Sequence, residues 1–121
     1  MVADLSMTAP AAEPATLTLA CQGTMTTVMQ GAKRERISMG IVVDFTARTV
    51  QGFGYPDSIK ITRESEFTVD FADSKDDMSI IGIIDRVTRH VNATSFLMDP
   101  KIGKNRKISY ALTCRPTQGM F

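Results

Sequence analysis

The chain predicts an all-β domain of about eight antiparallel strands in an up-and-down meander, either a closed barrel or a sandwich. Three observations carry that reading. Apolar residues recur at every second position over stretches of five or more, as expected of strands with one buried face. Helical periodicity is absent from every window of about eleven residues. Short segments rich in Gly, Pro, Asp, Asn, Ser or clustered charge interrupt the alternation at regular intervals.

Residues 1–14 are rich in Ala, Pro, Ser and Thr without periodicity, and read as a mobile arm before a single β domain over 15–121. In that domain "TLTLAC" places Leu17, Leu19 and Cys21 on one face. "ISMGIVVDF" does the same for Ile37, Met39, Ile41, Val43 and Phe45. Ile59 and Ile61 follow, then Phe67, Val69 and Phe71, and finally Ile108, Tyr110, Leu112 and Cys114. Strands joined this closely are neighbours. Loops 31–36, 54–58, 73–78 and 99–106 should therefore gather at one end, and tight turns 46–49, 63–65 and 86–89 at the other. Ile41, Phe45, Phe67, Phe71, Tyr110 and Leu112 are expected to fill the interior.

Bulk properties exclude several classes. The 121 residues make one domain. With 14 Lys and Arg against 13 Asp and Glu, no whole-chain field recruits nucleic acid or an acidic membrane. Trp is absent and Tyr occurs twice, so stacking platforms for single-stranded nucleic acid are scarce. No apolar run approaches the ~18–20 residues that span a bilayer. The N-terminus carries Asp4 and has neither a basic start nor a continuous apolar segment, which points to the cytoplasm. Its small residues equally resemble the flank left by a cleaved leader, which would place the domain in the periplasm. Cys21 and Cys114 are 93 positions apart and accompanied by no CxxC or HxxxH, so neither a zinc site nor any other cofactor is expected. The two residues are either buried thiols or a disulfide between the first and last strands.

The stretch "GIIDRVTRHV" brings Asp85, two Arg and the only His together. Residues 42–50, "VVDFTARTV", and 83–91, "IIDRVTRHV", share two apolar residues, an Asp, an Arg four later and a Val two after that. One explanation covers both. Asp44 and Asp85 accept backbone hydrogen bonds within a turn, and Arg48 and Arg89 reach across the strand pair toward them. The competing explanation makes His90 a general base oriented by Asp85. It lacks a nucleophile, since neither GxSxG nor SxxK occurs and both Cys lie on apolar faces.

Lys33, Arg34 and Arg36, with Lys101, Lys104, Arg106 and Lys107, would form a basic binding patch if their two loops meet. Asp73, Asp76 and Asp77 in the loop between would partly neutralise it.

Cys21 followed by Gly23 and Thr24, the "IIDRVTRHV" hairpin and the closing "SYALTCRP" resemble a family of small uncharacterised bacterial β-rich proteins. The resemblance implies a compact β fold and bacterial origin, and carries no activity. In that family Gly usually stands at the position of Arg89. A looser similarity is to small periplasmic β-barrel lysozyme inhibitors, from which no residue is transferred. The expected function is a non-catalytic binding module acting through the loops at one end. A carrier of a small apolar ligand in the interior is second, and an enzyme using Asp85 and His90 third.

Overall fold

The structure, a computed structural model, describes residues 15–99 and 103–117. Eight strands follow one another: β1 (Thr16–Val28), β2 (Ala32–Asp44), β3 (Thr49–Gln51), β4 (Ile59–Glu64), β5 (Thr68–Lys75), β6 (Met78–Asp85), β7 (His90–Asp99) and β8 (Lys104–Pro116). Each pairs antiparallel with the next, and β1 pairs with β8, so the meander closes into a barrel without free edges. Among the described residues no helix is long and apolar enough to cross a membrane.

Alternation sorts the side chains. Leu19, Ile41, Val43, Val50, Ile59, Val69, Phe71, Val91 and Leu112 turn inward and are buried, and they fill the core. Ile81, Ile83, Phe96 and Met98 turn outward and stay exposed. Cys21 and Cys114 are partners in the β1–β8 register, with Cα atoms 4.0 Å apart, and are joined by a disulfide across the seam.

Three sequence expectations need correction. Phe67 is 62% exposed and does not fill the interior. Strand β5 begins one residue later, and the Ser65 hydroxyl accepts the N–H groups of Phe67 and Thr68 at 3.1 and 3.0 Å, which closes a turn beyond the sheet. Residues 33–36 and 104–106 are not loops, because β1, β2 and β8 each run 13 residues. Beyond the core both faces of a strand meet water, so clustered charge does not interrupt pairing. Residues 73–78 are a tight hairpin, with Ser74↔Ser79 and Lys75↔Met78 paired and Asp76 at φ 54°.

Residues 52–58 form the long described loop, and Phe53 and Tyr55 fold inward from it. Phe53 and Tyr55 are buried at 3% and 7% exposure. The Phe53 ring stacks on Phe71 at 5.5 Å and meets Tyr110 edge-on at 5.2 Å. The Tyr110 hydroxyl donates to the Phe53 carbonyl at 3.1 Å. This plug requires left-handed backbone at Phe53 (φ 62°) and Gly54 (φ 68°). An ion pair between Lys75 and Asp57 ties the loop to the neighbouring hairpin.

Candidate functional site

The two similar turns are built alike. Asp44 Oδ1 accepts the Ala47 N–H at 2.9 Å. Asp85 Oδ1 accepts the N–H groups of Val87 and Thr88, each at 2.9 Å. These bonds, Thr88 first and Val87 second, hold the Asp85 carboxyl below the usual carboxylate range. Arg48 and Arg89 both have left-handed backbone, with φ of 58° and 67°, and Val50 and Val91 are fully buried. Neither guanidinium bonds its Asp carboxylate, although the Arg89 backbone N–H donates to the Asp85 carbonyl at 2.8 Å. The Arg48 guanidinium instead donates to Glu64 at 3.3 Å. The position of Arg89 is one that favours Gly.

His90 is exposed at the start of β7, with its own N–H 3.4 Å from the Thr88 hydroxyl. Asp85 is occupied by the turn's backbone, and the sulfurs of Cys21 and Cys114 are bonded to each other. Among the described residues no three His, Cys, Asp or Glu converge to hold a metal.

The basic residues are divided between two faces. Register and alternation put Arg34, Arg36 and Lys107 on the outer wall. Lys33 and Arg106 share the inward parity of Ile108. The Arg106 Nε is buried without a hydrogen-bond partner, and its charge acts on the Tyr110 phenol. Lys104 opens β8, and Lys101 lies outside the described residues.

The plug side chains join the buried side chains of the barrel wall in one core. Burial first, and the Asp73 carboxylate second, push the Tyr55 hydroxyl up to about 12. Asp73 acts on it through space without a hydrogen bond of good geometry.

A furrow of about 760 Å³ lies on the outer wall. Two outward rows border it. One is Asp70–Ile83–Asn92–Ala111–Thr24 and the other is Ala72–Ile81–Thr94–Ser109–Thr26, each crossing β5, β6, β7, β8 and β1. Arg34 closes one end and Thr62 the other. The floor is backbone at Phe71, Gly82, Ala93 and Tyr110. Gly82 is required on the inner side, where a Cβ would overlap the Phe71 ring. Ile81 is 59% and Ile83 40% exposed, and one carboxylate oxygen of Asp70 is buried without a partner.

Sequence reasoning missed this surface and also missed the plug. One signal for the furrow was legible: "SIIGIID" carries apolar residues at both parities, so one set had to face outward. No family model, curated protein or solved structure matches the chain.

Proposed function

We propose that the chain is a non-catalytic binding module that engages a partner with the outer wall of its barrel. The observation that carries this reading is the pair Ile81 and Ile83, exposed in a furrow while the interior is filled by Phe71, Tyr110 and the inward-folded Phe53. Exposed aliphatic side chains in a concave, polar-edged site are what a binding surface offers. The filled interior disfavours the carrier reading. Asp85, engaged by two backbone N–H groups, disfavours an acid–base pair with His90.

A photocrosslinking residue placed at position 81, with the more exposed position 87 as a control at the turns, tests this in extracts of the source cells. Adducts to a macromolecule are expected from position 81 and not from 87. Adducts from neither, or equally from both, would remove the reading. One apolar molecule per chain in native mass spectra would replace it with the carrier.

A further inference from the structure

We propose that the furrow is a groove for a single extended polypeptide segment laid across the strands, with an acidic residue on Arg34 and Arg36 and apolar side chains on Ile81 and Ile83. This deepens, and rests on, the binding-module reading above.

Width comes first. Outward residues two apart on one strand are separated by about 6.6–6.8 Å. The two bordering rows are adjacent, so the furrow follows a single line across the strands, as one extended segment would. Polar satisfaction comes second. A chain crossing the strands cannot join their hydrogen-bond ladder, because the barrel has no free edge. Its N–H and C=O groups need side-chain partners. Thr24, Thr26, Thr94, Ser109 and Asn92 supply hydroxyl and amide groups along both borders. A linear glycan would want exposed ring faces, whereas Phe71 and Tyr110 turn inward.

Charge sets the direction. Arg34 and Arg36 lie outward on β2, opposite Thr26 and Thr24, and neither has an ion-pair partner among the described residues. The far end is mixed, with Arg63 opposite Asp70 in the β4–β5 register. Only the β2 end therefore presents unopposed positive charge. From β2 to β6 is four of the eight strand spacings around the closed barrel, about 19 Å along the sheet, so a chain lying outside the wall needs at least about six residues to span it. The segment thus carries its acidic residue at least about six positions from its apolar pair.

The test is selection of a random dodecapeptide library on immobilised protein, followed by fluorescence polarisation with the synthetic consensus peptide. The expected consensus has Asp or Glu at least about six positions from two apolar residues. Arg34→Glu with Arg36→Glu should weaken that peptide at least tenfold, and reselection should yield Lys or Arg at the same position. Ile81→Ser with Ile83→Ser should weaken it at least tenfold while the urea midpoint is retained, since both residues are outward. A consensus lacking that spacing, or equal binding to these variants, overturns the proposal. So does furrow-dependent binding of maltohexaose, or a dimer that dissociates on Ile81→Ser. Adducts at position 81 without any peptide consensus end this proposal and leave the binding module standing. Absence of both ends both.

Discussion

The barrel end formed by turns 45–48, 65–67 and 86–89 is held by side chains within the turns, whereas the opposite end is held by a loop folded into the core. At the first end Asp44, Ser65 and Asp85 each accept backbone N–H groups two or three residues ahead. The two later turns are also tied together, since Arg86 donates from its backbone to Phe67 and from its guanidinium to Ser65, both at 2.7 Å. The disulfide sits toward this end, with Cys114 two residues before the end of β8. At the second end Phe53 rests on Phe71 and Tyr110, residues 18 and 57 positions away, and Tyr55 is buried in the same loop. Polar local closure and apolar remote closure should fail under different perturbations.

The largest effect is expected at the covalent seam. Replacing Cys21 and Cys114 together with Ala removes a link across 93 residues, worth about 4–5 kcal/mol in the chain-entropy model. Urea midpoints measure it, and thiol titration of protein from its native compartment shows whether the bond forms there. Next comes the plug. Phe53→Ala should cost about 3–5 kcal/mol, as for a buried aromatic. Phe53→Gly should be milder than that by up to ~1–2 kcal/mol, because it relieves left-handed backbone. A loss under 1 kcal/mol for Phe53→Ala would mean that the loop merely covers the barrel, and the contrast between the ends would dissolve.

Arg89→Gly should stabilise by about 0.5–1 kcal/mol, the left-handed relief less the entropy of glycine. Arg48→Gly should gain less, because it also loses the Glu64 ion pair. Equal gains would show that the ion pair contributes nothing.

The two ends should also respond to opposite pH extremes. Asp85 is held below its ordinary value in the folded state, so its contribution is complete above the unfolded value of about 3.9 and is lost as pH falls through the folded one. Asp85→Ala should flatten this acid limb, because the bonds from the Thr88 and Val87 N–H groups that hold the carboxyl down are lost with it. Tyr55 is raised to about 12, so its contribution is complete below the unfolded value of about 10 and is lost as pH rises from there. Tyr55→Phe should flatten the alkaline limb and leave the acid limb alone. Midpoints collected from pH 2 to 12 would contradict the contrast if one substitution altered both limbs. The smallest effect is expected at His90, where Ala should change stability by no more than ~0.5 kcal/mol.

What could be read from the chain alone was whatever acts over a few residues. Period-two alternation identified most of the core, including Leu19, Ile41, Val43, Phe71 and Leu112, because a strand places alternate side chains on opposite faces. The turn Asp residues were legible because their acceptors lie within three positions of the donors. The tertiary structure alone decided the rest. Whether a charged segment such as 33–36 is loop or strand depends on how far the paired strands outrun the core. Whether Phe53 is buried depends on the distant rings of Phe71 and Tyr110. The furrow depends on five strands coming into register, so that Thr24 and Asp70, 46 positions apart, border one groove. Alternation specifies which face a residue takes on its own strand, and only pairing specifies what lies beside it on the next.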